Sequence, residues 1–179
     1  MNLIDTNFQT PVEVCKYMVS LIPDGVKKVL EPTPGIGNIV AELEVAGYTV
    51  DAPHNYFDYK NDSIDCIVMN PPFSSKYAFG VPDHIKDSGM RLGYYILTEC
   101  MKISNHIIAL MPWFTLSDSD IRLRFLKQFG IKSITALPRK TFQYARIQTC
   151  IIQLEKNYPG ETVFKVFDDE IKDRPGLCL

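Results

Sequence analysis

Short apolar runs alternate with longer stretches in which apolar residues recur at helical spacing. The apolar runs predict strands at 27–31, 48–51, 64–69, 106–111, 131–137, 146–154 and 162–167, with a short further strand at 55–59. The stretches between them predict helices at 10–21, 38–46, 91–104 and 119–129. Residues 74–89 are rich in Ser, Lys, Gly, Pro and Asp and predict a long loop.

This alternation predicts an α/β fold with a mostly parallel sheet and helices on both faces. The link between 137 and 146 is too short for a helical crossover, so we expect the last two main strands to pair antiparallel. A length of 179 residues fits a single domain over 1–179, and 46% hydrophobic residues suffice for a full core.

Local signals mark where two of the helices begin and end. Thr10 is predicted to cap the first helix, with Pro11 at its first position and Glu13 completing a capping box. Gly47 is the predicted C-cap of the second helix. The span from Asp51 to Asp58 is too short for a helix between the second and third strands.

Cysteine and histidine usage excludes several classes of site. The five cysteines (Cys15, Cys66, Cys100, Cys150 and Cys178) and three histidines (His54, His84 and His106) show no metal-ligand spacing. We therefore predict no metal site, and cysteines that pack as small core residues in a reducing compartment.

No apolar run has the length of a membrane span, and the first residues show no signal pattern, so we expect a cytoplasmic protein.

Basic residues cluster although the whole chain carries a net charge of −2. Between 122 and 146 there is no acidic residue and there are seven basic ones: Arg122, Arg124, Lys127, Lys132, Arg139, Lys140 and Arg146. The cluster fits equally a solvated helix face followed by a basic turn, or an edge that contacts phosphates.

The stretch Asn70-Pro71-Pro72-Phe73 follows a buried strand and forms an unusual surface. Two prolines remove backbone donors and fix φ, and each restricts the residue before it. The resulting rigid corner presents the Asn70 side-chain oxygen and the Pro71 carbonyl as acceptors beside the Phe73 ring. Acceptors beside a ring suit a flat group that carries an NH₂, although the same residues also mark an ordinary turn.

A glycine-containing turn, Glu31-Pro32-Thr33-Pro34-Gly35-Ile36-Gly37-Asn38, joins the first predicted strand to a helix. Gly35 and Gly37 allow a ligand to approach the backbone, and this position in an α/β sheet commonly binds a nucleoside. The turn lacks the spacing for NAD or for an ATP phosphate loop. Asp51 closes the next strand, where a carboxylate can accept both ribose hydroxyls, and Asp58 could accept from an adenine amino group. Either acid alone also fits a solvated loop carboxylate, but their joint placement after a glycine turn favours a ligand site.

These motifs together resemble those of the amino-group DNA methyltransferases. The glycine turn is similar to their S-adenosylmethionine loop, and Asn70-Pro71-Pro72-Phe73 is similar to their catalytic motif. Phe8-Gln9-Thr10-Pro11 resembles the N-terminal segment of the adenine-N6 enzymes, and the motif order is that of the gamma group. Ile147–Ile152 resembles the strand after the catalytic-side hairpin. The resemblance covers roughly residues 8–155 and implies a Rossmann-like class I methyltransferase fold.

The resemblance implies a role for each matching residue. Glu31, Pro32, Gly35 and Gly37 would line the methionine part of S-adenosylmethionine, with Thr10 and Pro11 near its carboxylate. Asp51 would hold the ribose, and Asp58 the cofactor adenine. Asn70, also beside the cofactor, and Pro71 would bind the substrate amine, with Pro72 completing the corner and Phe73 stacked on the base. Apart from the resemblance, we predict nucleic-acid contacts at the basic residues Lys76, Arg139, Lys140 and Arg146.

The implied activity is methyl transfer to an exocyclic amino group, adenine N6 in DNA before RNA, of the kind found in restriction-modification systems. Alternatives are an RNA or protein glutamine acceptor, or an inactive subunit that binds cofactor or nucleic acid. No segment has the length of the family's target-recognition domain. We therefore expect no separate recognition domain, which leaves open a partner specificity subunit.

Overall fold

The computed structural model describes residues 8–60, 63–74, 80–86, 91–142 and 147–168. Within these ranges seven strands form one sheet. In chain order the elements are α1 (Val12–Ser20), β1 (Lys28–Leu30), α2 (Asn38–Val45), β2 (Thr49–Asp51), a 3₁₀ turn (Tyr56–Asp58), β3 (Cys66–Met69), α3 (Asp83–Lys86), α4 (Leu92–Ile103), β4 (His106–Pro112), α5 (Phe114–Ser117), α6 (Asp120–Phe129), β5 (Ile131–Ala136), β6 (Thr149–Glu155) and β7 (Val163–Val166).

The strand order across the sheet is β2-β1-β3-β4-β6-β5-β7. The first four strands run parallel, whereas β6 is antiparallel to both β4 and β5, and β7 is parallel to β5. The mostly parallel sheet and the antiparallel pairing of β5 with β6 are therefore confirmed. The chain leaves β1 towards β2 and returns on its other side as β3, which opens a crevice at their carboxyl ends.

Helices cover both faces of the sheet, as the continuous apolar strands require. On one face Val68 packs with residues of α1 and α2, including Met18 and Leu43. On the other face Ile67 packs with α4, including Leu97, and with Leu126 of α6. The four residues of β3 are all buried, because the side chains on each face of the strand pack against a layer of helices.

Glycine and serine end and begin helices where the sequence predicts. Gly47 follows α2 in the left-handed region with φ 89°, and Gly130 follows α6. At the start of α6, the Ser119 hydroxyl accepts a hydrogen bond from the Arg122 backbone N–H at 3.4 Å. These residues supply backbone conformations and partners that the helix ends lack on their own.

Three local predictions are wrong. The predicted strand at 55–59 is replaced by the 3₁₀ turn at Tyr56–Asp58, where the Asn55 side chain accepts a hydrogen bond from the Phe57 N–H. Thr10 does not cap α1, which begins at Val12 after Pro11 without a side-chain cap. Nor does Glu13 complete a capping box, since its carboxylate pairs with Lys16 at 3.2 Å.

The predicted loop at 74–89 contains a short helix in its described part. This helix, α3, packs Ile85 into the core beside Val81. Residues 75–79 and 87–90 lie outside the described ranges, as does Cys178. None of the described helices has both the length and the apolar composition needed to cross a membrane.

Candidate active site

The carboxyl ends of the parallel strands bring the predicted motifs to one edge of the sheet. Glu31 follows β1, Asp51 ends β2, and Asn70 follows β3. Leu30 pairs with Asp51 on one side and with Ile67 on the other. The three polar residues therefore surround the crevice where the strand order reverses.

The amide of Asn70 is held by the segment before α1. Asn70 Nδ2 donates to the Phe8 carbonyl at 3.1 Å and to Thr10 Oγ1 at 3.0 Å. Both amide hydrogens are thus used, and the position of Oδ1 follows from the planarity of the group. Within the described ranges no donor is assigned to Oδ1, which leaves this oxygen as an acceptor. Thr10 therefore orients Asn70 instead of capping α1.

The diproline corner rests on the first turn of α4. Pro71 is buried, and Gly93 lies directly beneath the corner. A Cβ at Gly93 would lie 3.2 Å from the Pro72 carbonyl oxygen and 3.4 Å from Pro71 Cγ. Glycine at this position therefore allows the helix to support the corner without pushing it outward.

The glycine turn is tied to the same N-terminal segment. Gly35 and Gly37 have φ of 58° and 92°, and the Gly37 N–H donates to the Pro34 carbonyl at 2.8 Å. The Gln9 side chain lies over the turn: its Oε1 accepts from the Ile36 N–H at 3.2 Å and would be 2.6 Å from a Cβ at Gly35. A side chain at Gly35 is disfavoured by the positive φ, and it would also displace the Gln9 side chain from the turn.

Asn38 provides a further link, since its Nδ2 donates to the Thr10 carbonyl at 2.9 Å. The segment at residues 8–10 therefore bonds to the glycine turn, to the start of α2 and to Asn70. The structure brings together three motifs that lie far apart along the chain.

Glu31 is a buried carboxyl with one unpartnered oxygen. The residue is 1% exposed, and its Oε1 accepts from the Thr33 N–H at 2.8 Å and the Thr33 hydroxyl at 3.2 Å. Oε2 is buried and has no hydrogen-bond partner within the described ranges. Burial raises the pKa of Glu31 to about 8, with the Thr33 bonds acting in the opposite direction. An unpaired buried oxygen at this edge points to a donor, or a cation, that binds there.

Two further carboxylates lie at the rim of the crevice. Asp51 accepts from the Tyr59 hydroxyl at 2.6 Å and pairs with Lys28 at 3.1 Å. Burial, and then the bond to Asp51, raise the pKa of Tyr59, so its hydroxyl stays a donor. Asp58 accepts from Asn55 Nδ2 at 3.0 Å. Asp58 and Tyr59 line an open depression beside the crevice.

The basic cluster is divided by the structure. Arg139 and Lys140 are exposed after β5, at the same edge as the crevice. Lys132 pairs with Glu155 at 2.8 Å towards the other end of that strand. The cluster is therefore not one continuous face, and only part of it flanks the crevice. Two predicted contacts, Lys76 and Arg146, lie outside the described residues.

Four residues at or beside the crevice were not predicted from the sequence: Gln9, Thr33, Tyr59 and Gly93. Thr33 stands inside the glycine turn, where a hydroxyl two residues after an acid signals a local side-chain bond. Gln9 and Gly93 act through contacts between distant segments, and Tyr59 bonds to Asp51 eight residues earlier. No spacing pattern in the sequence reveals these contacts. No group of His, Cys, Asp and Glu in the described part of the chain is arranged to hold a metal ion.

Comparison with known proteins gives structural matches only. No protein-family model matches the sequence, and no curated protein matches it. A protein assigned as a class I S-adenosylmethionine-dependent methyltransferase from Listeria monocytogenes has a TM-score of 0.69 and 16% identity, over 91% of this chain and 67% of that one.

Two further solved structures resemble the chain. The methyltransferase subunit of a type I restriction-modification system from Streptococcus thermophilus has a TM-score of 0.67 and 16% identity, over 89% of this chain and 47% of that subunit. A protein assigned as an RNA methyltransferase from Pyrococcus horikoshii has a TM-score of 0.52 and 15% identity, over 83% of this chain and 87% of that one. The chain spans about half the length of the Streptococcus subunit.

The architecture is the Rossmann-like fold of class I S-adenosylmethionine-dependent methyltransferases, as predicted. Within that class, the structures it resembles include a restriction-modification subunit.

Because of Glu31, the free energy of unfolding should decrease as the pH rises. Its pKa is about 8 in the folded state and near 4.5 when unfolded, so the folded protein binds the extra proton between these values. Stability from this group is present below pH 4.5 and is lost as the pH approaches 8. In Glu31→Gln, stability should fall less between about pH 5 and about pH 8 than it does in the parent. Urea unfolding of both proteins at the two pH values measures the free energies of unfolding. An identical pH dependence in both proteins would contradict the assignment.

Proposed function

We propose that the chain is an S-adenosylmethionine-dependent methyltransferase that modifies an exocyclic amino group, with adenine N6 in DNA as the preferred acceptor. The observation that carries the proposal is the fixed Asn70 amide, whose oxygen is an acceptor at the edge that also carries Glu31 and the glycine turn. A crevice with these two sides suits a donor and an acceptor of one methyl group.

The residues of the glycine-turn side fit S-adenosylmethionine. The unpartnered Glu31 Oε2 is an acceptor for the α-ammonium of the methionine part. Thr10 Oγ1 accepts from Asn70, so its own hydrogen is available for the methionine carboxylate. Gly35 and Gly37 leave the turn without side chains where the ligand would approach.

The connection between the second and third strands fits the adenosine part. Asp51 would accept from the ribose hydroxyls, in exchange for or together with its bond to Tyr59. Asp58 lies on the neighbouring depression and would accept from the adenine amino group. When bound, the cofactor would supply a methyl group on a sulfonium, a carbon that a nitrogen lone pair can attack in line.

Asn70 and Pro71 would act on the acceptor. An aromatic NH₂ is a weak nucleophile because its lone pair is delocalised into the ring. The Asn70 oxygen and the Pro71 carbonyl would accept the two amine hydrogens and favour a pyramidal nitrogen with a directed lone pair. Such catalysis acts through positioning and electrostatics. Asn70 is not a base at neutral pH, so the proton would leave to solvent after methyl transfer.

Phe73 supports a nucleobase as the acceptor. Its ring is partly buried against the core and lines a small pocket beside the diproline corner. A base within a duplex cannot reach the crevice and would have to flip out, and stacking on Phe73 would offset about 1–3 kcal/mol of that cost.

DNA is the favoured acceptor for two reasons: the motif order from Phe8 to Phe73 resembles the adenine-N6 enzymes, and a restriction-modification subunit shares the fold. Arg139 and Lys140 would contact phosphates. A separate specificity subunit would then supply recognition.

Buried free thiols at Cys15, Cys66, Cys100 and Cys150 accord with a cytoplasmic location. RNA is the second candidate, because a protein assigned as an RNA methyltransferase also shares the fold.

A labelled-methyl experiment tests the proposal. The protein is incubated with methyl-labelled S-adenosylmethionine and, in separate reactions, DNA, RNA or a protein extract. Nucleoside or amino-acid analysis then identifies the labelled product. N6-methyladenine in DNA supports the proposal, label in RNA or glutamine moves the acceptor, and no label in any reaction counts against methyl transfer by this chain.

Asn70→Ala should lower turnover about 10²–10³-fold, because the acceptor loses its oxygen partner. The cofactor Kd should rise by less, through the lost bonds to Phe8 and Thr10. Single-turnover kinetics and calorimetry separate the two quantities. Asn105→Ala is the matched control, since Asn105 is exposed just before β4 at the opposite edge of the sheet. Equal turnover in Asn70→Ala and the parent would reject the assignment.

Cofactor binding at neutral pH should release protons. Glu31 has a pKa of about 8 and is mostly protonated in the free protein, whereas pairing with an ammonium requires the carboxylate. Calorimetry in buffers of different ionisation enthalpy measures the release. Glu31→Gln should abolish it and weaken binding by about 10-fold or more; an unchanged proton count in the variant would show that Glu31 does not meet the ammonium.

Gly93→Ala should separate stability from turnover. The added methyl group would press on the Pro72 carbonyl and displace the corner by a few tenths of an ångström. We expect kcat to fall about 10-fold or more. Alanine is the better helix former by roughly 0.5–1 kcal/mol, so the melting temperature should change little. Full kcat with normal melting would show that the corner tolerates the shift.

A further inference from the structure

Two arginines and three aromatic rings surround the small pocket beside the diproline corner. Phe73 forms one wall, and Tyr94 and Phe114 form others. The Arg91 guanidinium carbon lies 3.6 Å from the centroid of the Phe114 ring, and that of Arg122 lies 5.1 Å from the centroid of the Tyr94 ring. Each guanidinium therefore lies over one of those two rings, and both arginines line the same small pocket.

The two positive charges are only partly balanced. Arg91 pairs with Asp118 at 3.4 Å, in a geometry where both side chains are 45% exposed and the pair is weak. Arg122 has no carboxylate partner within the described ranges. Its neighbour Arg124, by contrast, points to solvent with 83% exposure and lies 3.6 Å from Asp120. The pocket therefore holds an excess of positive charge that an anion would neutralise.

The arrangement of rings distinguishes which part of a nucleotide meets this pocket. A guanidinium already lies over one face of Phe114 and over one face of Tyr94, so a base cannot stack on those faces. Phe73, from the corner itself, is the ring proposed above to stack on the base. A guanidinium presents N–H donors in a planar fork that fits the oxygens of a phosphate.

We infer that Arg122, assisted by Arg91, binds the phosphodiester next to the nucleotide whose base stacks on Phe73. This inference rests on the proposed function and adds a positioning contact to it. A phosphate held at this pocket would fix the strand relative to the Asn70 oxygen without reading sequence. Tyr94 is a rigid support, because it is 8% exposed and packs in the core.

Binding of a single-stranded oligonucleotide with one adenine tests the inference. Fluorescence anisotropy is measured across a salt series for the parent, Arg122→Gln and Arg124→Gln, with thermal melting to confirm that each is folded. Arg122→Gln should bind about 10-fold more weakly and show a salt slope smaller by about one ion. Arg124→Gln is the matched control on the same helix and should stay within about 2-fold of the parent.

A neutral phosphate localises the contact. Methylphosphonate is placed at one position at a time along the oligonucleotide. Beside the adenine it should weaken binding by the parent but have no further effect on Arg122→Gln, and Arg122→Lys should restore part of the affinity. If Arg122→Gln fails to fold, the methylphosphonate scan is compared between the parent and Arg122→Lys, and this comparison tests the phosphate contact.

The outcomes separate the two claims. If the parent methylates nucleic acid but Arg122→Gln binds the oligonucleotide with the same affinity and salt slope as the parent, the phosphate contact is overturned. The proposed function is then unaffected. A methylphosphonate scan that is flat beside the adenine has the same meaning. A parent that neither binds nor methylates DNA or RNA overturns both.

Discussion

The side-chain amide of Asn70 connects the parts of the site, and the geometry of the others depends on it. Its two N–H groups bond to Phe8 and Thr10, and the Thr10 carbonyl in turn accepts from Asn38 at the start of α2. The diproline corner and the glycine turn, from different strands, are thereby joined through one short segment. The distance between a methyl donor and an acceptor bound at these two motifs would therefore be set by these hydrogen bonds. The bonds to Thr10 are partly buried, whereas the bond from Asn70 to Phe8 is exposed.

Glu31 is a buried group that destabilises the folded protein. A buried oxygen without a partner costs on the order of 1–3 kcal/mol, and burial holds the carboxyl in its neutral form near neutral pH. Thr33 satisfies only Oε1. A residue selected for stability alone would be apolar here, so the carboxyl is best explained by a ligand that completes its bonding.

Much of the architecture follows from patterns that can be read along the chain. Alternating strands and helices place Glu31, Asp51 and Asn70 at one edge, because parallel strands share the direction of their carboxyl ends. The errors arise where a side chain bonds to a distant or local group. Asn55 accepts the Phe57 N–H in the 3₁₀ turn that replaces the predicted strand at 55–59, and Thr10 bonds to Asn70 instead of capping a helix.

The basic cluster between 122 and 146 illustrates a different limit. Sequence proximity could not show that Arg122 turns inward onto Tyr94 while Arg124 pairs with Asp120 in solvent. The two are only two residues apart, but that spacing places them on different sides of a helix. Gly93 was equally hidden, since its contact with Pro72 exists only when α4 packs beneath the corner.

A net charge of −2 conceals an electrical asymmetry across the crevice. Asp58, Asp51 with its partner Lys28, and the buried carboxyl of Glu31 lie on the side of the glycine turn. Pairing with the ammonium of the proposed cofactor would ionise Glu31 and make this side more acidic. Arg91 and Arg122 adjoin Phe73 on the other side, which suits a polyanion. Salt acts on these sides unequally, because Glu31 is buried whereas Arg91 is partly exposed. Under the proposed function, the acidic and basic side chains would keep a cationic donor and an anionic acceptor in separate halves of one site, with the Asn70 oxygen at their boundary.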